Sequence, residues 1–222
     1  MTNDIELRYF FDPFCGWCYA SAPALAGLAD RFRDKLKMLP SGLFVGGRPI
    51  SSIADHAWRN DQRIQSLTGQ RFSEEYHQNV LLAPDGVFDS GPATLALTAL
   101  GEQDAALEPH LLHAMQIARY VGGRDTSNID EVATVAAKVA TEHGIELEAD
   151  AFSNRLRNDA ALRERTLERM EEAQSQMNSL GIRGVPQLVA VVDGKRHVID
   201  GEALYHGPER LLAVIADLAI PA

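Results

Sequence analysis

The chain has 222 residues, of which 21 are basic and 31 are acidic, so its net charge is −10 at pH 7. This acidic balance argues against nucleic-acid binding, which needs a surplus of Lys and Arg on the surface. Hydrophobic residues make up 45% of the chain and charged residues 23%, a composition typical of a globular protein. No apolar run approaches the roughly 18 residues of a membrane-spanning helix, and the first six residues lack the pattern of a signal peptide. We therefore expect a cytoplasmic protein that binds neither nucleic acid nor membrane.

The N-terminal region predicts a strand, a helix and a second strand. Ile5–Phe11 is rich in β-forming side chains and ends at Asp12-Pro13. A helix is expected from about Cys15, because apolar residues then recur at helical spacing, at Ala22, Leu25, Ala29, Phe32 and Leu36. Lys37–Val45 is predicted as the second strand, closed by Gly46-Gly47-Arg48-Pro49. Such a βαβ unit has parallel strands and a right-handed crossover.

Strand patterns are absent between residues 51 and 158, where helical periodicity takes over. Six helical stretches are predicted there: Ile53–Thr68, Ser73–Leu82, Ala93–Leu100, Asp104–Val121, Ile129–His143 and Ala149–Asn158. Turn-forming segments such as Pro84-Asp85-Gly86 and Gly122-Gly123 separate most of them. We expect this region to form a helical subdomain.

The C-terminal region predicts a long helix, two strands and a last helix. The predicted elements are a helix at about Asp159–Leu180, strands at Gln187–Val192 and His197–Asp200, and a helix at about Pro208–Ala219. Asp193-Gly194 between the strands is a strong hairpin signal. The sheet needs both ends of the chain, so the strand from Gln187 is expected beside Ile5–Phe11. We therefore predict an α/β fold with one discontinuous domain, residues 1–50 and 159–222, and a helical insertion at residues 51–158.

Both cysteines of the chain lie in one tetrapeptide, Cys15-Gly16-Trp17-Cys18, the CGWC turn. Two cysteines cannot build a disulfide scaffold, and a close pair in a reducing compartment is more often catalytic or metal-binding. A zinc site would need two further ligands, and none of the seven histidines has the paired spacing of a zinc finger. We therefore favour redox chemistry and expect no bound metal.

The CGWC turn and its surroundings resemble the thioredoxin superfamily, and within it the DsbA-like branch. A strand runs into the turn, Pro23 follows five residues after Cys18, and Val185-Pro186 stands immediately before a strand. The helical insertion is typical of the DsbA-like branch, and Asp12-Pro13-Phe14-Cys15 is most similar to its FrnE-type, cytosolic members. The resemblance implies a thioredoxin-like fold and thiol–disulfide oxidoreductase activity. It also implies that Pro186 is a cis-proline packed against the cysteines and that the backbone of Val185 binds the substrate chain.

Helix geometry predicts different roles for the two cysteines. Cys15 at a helix N-terminus faces unpaired N–H groups that stabilise a thiolate, so we expect a lowered pKa and an exposed sulfur. Cys18 lies one turn inside the helix and is expected to be the buried thiol that resolves a mixed disulfide formed at Cys15. Phe14 and Trp17 are expected to offer apolar surface to an unfolded substrate.

Three other positions near the cysteines carry open interpretations. Many thioredoxins have a buried Asp six residues before the first cysteine, where this chain has Tyr9, a poor base at neutral pH. Asp12 could accept the proton of Cys18 instead, although its place before Pro13 favours a turn-forming role. Residues 46–49 should lie on the same sheet edge as Cys15, where a plain loop is a better interpretation than a phosphate-binding one.

Three functions from different classes fit these features. The favoured function is a dithiol–disulfide oxidoreductase that catalyses protein disulfide exchange or isomerisation without a bound cofactor, with thiol-containing proteins or glutathione as partners. The alternative is a glutathione-dependent isomerase or transferase, of the 2-hydroxychromene-2-carboxylate isomerase or kappa type. Those enzymes typically use a single Ser or Cys nucleophile and have no use for Cys18. The third is a non-enzymatic binding or chaperone module built on the helical insertion.

Overall fold

The computed structural model describes residues 4–218. Its strands are β1 (Ile5–Phe11), β2 (Leu36–Pro40), β3 (Arg48–Pro49), β4 (Val87–Phe88), β5 (Gln187–Val192) and β6 (Lys195–Val198). Its helices are α1 (Gly16–Ala20), α2 (Ala22–Arg31), α3 (Ala54–Thr68), α4 (Glu74–Tyr76), α5 (Gly91–Gly101), α6 (Glu108–Tyr120), α7 (Ile129–Glu142), α8 (Ala149–Asn158), α9 (Ala160–Leu180) and α10 (Pro208–Leu218). The predicted end of the last helix, Ala219, lies outside the described residues.

Four of the strands form one mixed sheet in the order β2-β1-β5-β6. β2 runs parallel to β1, with Leu36 opposite Leu7, and β5 runs antiparallel to β1, with Leu188 opposite Tyr9. Both predicted pairings are therefore confirmed. The strands that precede and follow the helical block build a single sheet, as an α/β fold with a helical insertion requires.

The hairpin between β5 and β6 is tighter than predicted. Asp193 has φ 48° and Gly194 has φ 78°, and two consecutive left-handed residues are what a type I′ turn requires. A two-residue turn lets the second strand begin at once, so β6 starts at Lys195 rather than at the predicted His197.

The sheet is buried on both faces. Leu7, Tyr9 and Phe11 of β1 enter the main hydrophobic core, which continues into the helical block. The opposite face carries a smaller core that consists of Phe10, Leu39, Ala173 and Val189. Because side chains alternate along a strand, β1 serves both cores and fixes the position of α9 behind the sheet.

β2 is shorter than the predicted strand Lys37–Val45. The chain leaves the sheet after Pro40, because Gly42 adopts φ 66° and the N–H of Val45 closes a turn on the carbonyl of Gly42 at 3.2 Å. It then forms β3, which pairs antiparallel with β4 inside the helical block. The expectation that residues 51–158 contain no strand is therefore wrong, since a two-residue strand is too short to show alternation.

The helix predicted from Cys15 onward is interrupted. α1 ends at Ala20 and α2 begins at Ala22, with the buried Ser21 between them. Pro23 lies in the first turn of α2, where its missing N–H costs no helical hydrogen bond. The predicted apolar stripe is wrong at its end, because α2 stops at Arg31 and Leu36 already belongs to β2.

The helical block shares the main core with the sheet. α3 packs against α1, and α6 packs against α2, so the block reaches the segment that carries the cysteines. The helix predicted over residues 73–82 is one turn of α-helix, α4, followed by one turn of π-helix at His77–Leu81. No helix between residues 4 and 218 has the length and apolar character needed to cross a membrane.

Candidate active site

The CGWC turn begins where β1 ends. Cys15 is the N-cap residue of α1, and its backbone N–H donates to the carbonyl of Asp12 at 3.1 Å. The carbonyl of Cys15 accepts the N–H groups of Cys18 at 2.9 Å and Tyr19 at 3.1 Å. The predicted helix start is confirmed, although α1 runs for only five residues.

The two thiols are free and differ in burial. Cys18 is completely buried, whereas Cys15 keeps 8% of its surface exposed. The expectation of an exposed Cys15 sulfur is therefore wrong, because the sulfur lies against the Val185 carbonyl, to which it donates at 3.4 Å. Burial first, and the neighbouring Cys15 second, hold the pKa of the Cys18 thiol well above its usual value. Cys18 is thus the more deeply buried thiol of the two, and it keeps its proton at neutral pH.

The loop before β5 stands beside Cys15. The Val185–Pro186 peptide bond is cis, as the resemblance implied. Pro186 is buried and Val185 is half-buried, and the next residue, Gln187, pairs with Phe10 near the end of β1. The sheet therefore brings together Cys15 and Val185, which are 170 positions apart in the chain.

Asp12 is a buried connector between three segments. Its carboxylate accepts the N–H of Phe14 at 2.9 Å, the N–H of Phe44 at 3.0 Å and the hydroxyl of Ser90 at 3.0 Å. The favoured turn-forming interpretation agrees with these contacts, which also reach beyond the turn to α5. Burial is the main cause that raises the pKa of Asp12 to about 6. Its action as a proton acceptor for Cys18 stays a prediction.

Tyr9 lies on the sheet side of the thiols. The hydroxyl of Ser21 donates to the carbonyl of Cys18 at 3.0 Å, so the Tyr9 hydroxyl is the donor in its 2.6 Å hydrogen bond to Ser21. Burial first, and the nearby Cys18 second, hold the pKa of Tyr9 well above its usual value. Tyr9 therefore keeps its proton at neutral pH, as expected of a poor base.

The two aromatic side chains of the motif are placed differently. Trp17 is half-buried and packs on the ring of Tyr205 with the ring centroids 5.0 Å apart, so part of it faces solvent. Phe14 is buried, with its ring edge-on to Phe88 at 5.3 Å. The expectation that Phe14 offers surface to a substrate is wrong, because β4 of the helical block covers it.

The helical block places a second carboxylate beside the CGWC turn. Asp61 of α3 is only 4% exposed, and its Oδ1 lies 2.5 Å from the position that a Cβ on Gly16 would occupy. The hydroxyl of Tyr76 donates to the other carboxylate oxygen at 3.1 Å. Burial raises the pKa of Asp61 to about 7, against the opposing effects of Tyr76 and Arg119. Sequence reasoning missed Asp61, and the only available signal was an acid on the buried helical face that also carries Ile64.

Arg119 of α6 brings a buried positive charge to the same region. It is 1% exposed, and its guanidinium lies 3.9 Å from the ring centroid of Phe14. Its nearest acidic atom in an ion pair is the Oδ1 of Asp125 at 3.8 Å, and within residues 4–218 its nitrogen atoms make no hydrogen bond. Phe14, the residue before Cys15, therefore lies between the aromatic core and the buried cation of Arg119.

A groove of about 480 Å³ opens beside the Val185 loop. Its lining combines apolar and polar side chains, including Leu43, Gln174, Met177, Asn178, Ile182 and Arg183. Val185 also lines it, so the groove runs from the loop that contacts Cys15 along the surface of α9.

The loop at residues 46–49 lies on the rim of the site and is engaged by protein groups. The guanidinium of Arg48 lies 5.9 Å from the ring centroids of both Phe44 and Phe88, and the N–H of Gly46 donates to Asp89 at 3.3 Å. The prediction of a plain loop therefore holds for Gly46 and Gly47 and is wrong for Arg48 and Pro49, which form β3. Over residues 4–218, no group of three or more His, Cys, Asp or Glu side chains is arranged to hold a metal ion.

A four-stranded mixed sheet, paired thiols at a helix start and a cis-proline loop beside them define a thiol–disulfide oxidoreductase of the thioredoxin type. The family model for the DSBA-like thioredoxin domain matches residues 6–212, so the chain belongs to that family. The predicted fold class and enzyme class are thereby confirmed. No match was found among curated protein sequences.

Solved structures extend the likeness to nearly all of the chain. The cytosolic disulfide reductase DsbM from Pseudomonas aeruginosa is 29% identical, with a TM-score of 0.81 over 96% of this chain and 100% of DsbM. A structure of the same protein with GSH is 28% identical, with a TM-score of 0.80 over 97% of this chain and 100% of that one. DsbA from Chlamydia trachomatis, at 15% identity and a TM-score of 0.53 over 96% of this chain and 84% of its own, shares the fold.

Proposed function

We propose that the chain catalyses dithiol–disulfide exchange through the CGWC turn, with Cys15 as the attacking thiol and Cys18 as the resolving thiol. The observation that carries the proposal is the arrangement of the pair. Cys15 keeps some exposed surface and contacts the Val185 loop, while Cys18 is completely buried and its pKa is raised. A buried, protonated second thiol is suited to react only after the first has been engaged.

The exchange proceeds in two balanced steps. The Cys15 thiolate attacks one sulfur of a substrate disulfide, forming a mixed disulfide and releasing the other sulfur as a thiolate. Cys18 then attacks the Cys15 sulfur, the substrate sulfur departs as a thiolate and takes up the proton that Cys18 loses, and a Cys15–Cys18 disulfide remains. The substrate gains two electrons and the pair loses two, so a thiol reductant such as glutathione must restore the dithiol.

The direction of electron flow is proposed to be reduction of substrate disulfides in the cytoplasm. The likeness to a protein described as a cytosolic disulfide reductase supports this direction and compartment, since it covers nearly all of both chains. Glutathione is proposed as a partner, supported by the structure of that same protein with GSH.

Substrate binding is proposed to use the Val185 loop and its surroundings. An extended substrate segment would pair with the backbone of Val185 in the manner of an added strand, with Pro186 beneath the reacting sulfur. The exposed part of Trp17 would flank the segment on one side. The adjacent groove, with Met177, Ile182 and the cation of Arg183, would accept apolar and acidic groups on the other side.

The test is the variant Cys18→Ala, in which Cys15 can attack a disulfide but nothing resolves the product. Incubation with glutathione disulfide should give a stable protein–glutathione mixed disulfide, detected by mass spectrometry and reversed by a reductant. Cys15→Ala is the matched control and should accumulate none. Full catalytic turnover by Cys18→Ala would instead identify the single-thiol, glutathione-dependent chemistry of the isomerase or transferase alternative.

A further inference from the structure

We propose that Asp61, supplied by the helical insertion, is a positioning residue whose ionised carboxylate disfavours the Cys15 thiolate and thereby makes the cysteine pair a stronger reductant. The inference rests on the proposed exchange at Cys15 and Cys18, and it adds the group that sets the direction of that exchange.

The geometry places the Asp61 carboxylate against the residue next to the nucleophile. Asp61 Oδ1 lies 2.5 Å from an ideal Cβ position on Gly16, and Ile64 Cδ1 lies 3.0 Å from the same point. A side chain at position 16 would therefore collide with the carboxylate. Glycine at this position lets α3 bring a negative charge to within one residue of Cys15.

The environment between the two groups strengthens their interaction. Asp61 is 4% exposed and Cys15 is 8% exposed, so little water separates their charges, and the energy between two charges rises as the effective dielectric constant falls. The charges of both Asp61 and Cys15 act on Tyr120. Its pKa is raised by burial first, then by the charges of Tyr76 and Asp61, and to a smaller extent by Cys15.

The other groups around the site hold constant charges near neutral pH, with one exception. Tyr76 and Tyr120 face Asp61, and Tyr205 and Tyr9 face the thiols, and burial is the first cause that raises the pKa of each. Arg119 contributes a fixed positive charge on the Asp61 side. The exception is Asp12, which acts on Cys18 and whose pKa is raised to about 6. Its titration is common to wild-type protein and Asp61 variants, so it cancels when the two are compared.

A carboxylate beside an attacking thiol acts on the redox equilibrium in a defined direction. The oxidising power of a CxxC pair increases when its reduced form is stabilised through the thiolate. An ionised Asp61 destabilises that thiolate, so the dithiol gives up its electrons more readily. A proton on Asp61 removes the effect.

The experiment compares the alkylation rate of Cys15 in Cys18→Ala protein with and without Asp61→Asn, across the pH range. Asn keeps the shape of the side chain and an acceptor for the Tyr76 hydroxyl but carries no charge. The ratio of rates, variant over parent, should be near one at about pH 5.5, where Asp61 of the parent is protonated and neither protein carries a charge at position 61. It should rise to roughly fivefold at about pH 8, as expected for one charge at close range. In protein with both cysteines, Asp61→Asn should make the pair easier to reduce by glutathione at pH 8.

The matched control is Asp55→Asn, which removes the same charge from an exposed position on the same helix and should leave the ratio at one. A ratio that stays at one to pH 9 in folded Asp61→Asn protein overturns the proposal. A ratio raised equally at pH 5.5 and pH 8 also overturns it, because the effect would then be steric.

A second variant covers the case in which Asp61→Asn does not fold. Tyr76→Phe keeps the Asp61 carboxylate but removes the hydrogen bond that favours its ionised form. Cys15 should then be alkylated faster than in the parent near pH 7, and the two rates should converge at higher pH; equal rates throughout contradict the proposal. Failure of Cys18→Ala to form a mixed disulfide would contradict the proposed exchange itself, whatever the alkylation ratios show.

Discussion

On the side of α1 that faces the sheet, the polar groups are matched to hydrogen-bond partners. The hydroxyls of Tyr9 and Ser21 and the carbonyl of Cys18 form one buried chain of hydrogen bonds. On the side that faces the helical insertion, the groups are ionisable instead. Asp61 and Arg119 bring opposite charges into the core, and the guanidinium of Arg119 makes no hydrogen bond within residues 4–218.

The contrast indicates a division of roles between the two parts of the chain. Around the sheet, most contacts that hold the thiols and the Val185 loop are uncharged hydrogen bonds, and the buried carboxylate of Asp12 is the exception. The insertion adds the fixed charge of Arg119 and the pH-dependent charge of Asp61 on the other side of the same helix. Substitutions on the two sides should therefore have different signatures, and four predictions test this, from the largest expected effect to the smallest.

The largest effect is expected from Cys15→Ser on the sheet side. A serine hydroxyl is not ionised near neutral pH and does not exchange with disulfides, so disulfide reduction should fall by roughly 100-fold or more. Tyr76→Phe, on the insertion side, is the comparison and should retain activity within roughly tenfold, because it changes only the electrostatic environment. The measurement is the steady-state reduction of a model disulfide. An inactive but folded Tyr76→Phe would contradict the proposed division.

The second prediction concerns Phe88, the residue of the insertion that packs directly on Phe14. Phe88→Ala should destabilise the fold by about 3–5 kcal/mol, since it empties a buried aromatic site. It should also speed alkylation of Cys15, because Phe14 would lose its cover. Phe152→Ala in α8 is the control, with an equally buried ring away from the thiols and a similar expected loss. Equal thiol reactivity in both variants would show that β4 does not shield the site.

Sequence reasoning located the elements whose signals are local. The bounds of β1 and β5 agree with the predicted Ile5–Phe11 and Gln187–Val192, because short apolar runs between turn-forming residues identify buried strands. β3 and β4 were missed, since their pairing joins two dipeptides that are distant in the chain. The break between α1 and α2 leaves no mark on the apolar periodicity, which continues across Ser21, and only Pro23, through the thioredoxin resemblance, points to a kink there.

The residues of the candidate site also divide into those that a sequence pattern reveals and those that only tertiary packing reveals. Cys15 and Cys18 were found from their spacing, and Val185-Pro186 from a resemblance, and the structure brings these residues together. Asp61 and Arg119 lie on helices whose sequence patterns are ordinary, and only tertiary packing reveals that they reach the CGWC turn. The burial of Phe14 was likewise invisible, because it depends on Phe88 from another segment.

The third prediction is a dependence of stability on pH that Asp12 causes. Its pKa is about 6 in the folded protein and close to its ordinary value in the unfolded chain. Between about pH 4 and pH 6 the folded state therefore binds more protons, so this contribution is fully present at low pH and is lost as pH rises. The loss should be of the order of 3 kcal/mol, from a shift of about two units.

The measurement for Asp12 is the free energy of unfolding of wild-type protein and Asp12→Asn at several pH values. Asn cannot ionise, so the stability of wild type relative to the variant should decline from pH 4 to pH 7. Asp61 contributes a slope of the same sign to both proteins and cancels in the difference. Two parallel stability curves would show that burial does not raise the pKa of Asp12. They would also remove Asp12 as a candidate proton acceptor for Cys18.

The smallest effect is expected from surface ion pairs that join the insertion to α9. Glu102, at the end of α5, accepts hydrogen bonds from Arg155 at 2.6 Å and from Arg165 of α9 at 2.5 Å, whereas Glu172 pairs with Lys37 alone among cationic groups between residues 4 and 218. Glu102→Gln should lower the free energy of unfolding by less than about 1 kcal/mol, and Glu172→Gln by less than that, because partly exposed pairs are screened by water and salt.

Hydrogen bonding to Arg165 is the main cause that lowers the pKa of Glu102. Its contribution is therefore present above the pKa of the unfolded chain and is lost as pH falls through the folded value. The free energy of unfolding should be measured at low and high salt, and the effect of Glu102→Gln should shrink as salt rises. If Glu102→Gln instead lowers that free energy by several kcal/mol, the insertion is attached to α9 mainly by these charges rather than through the shared core.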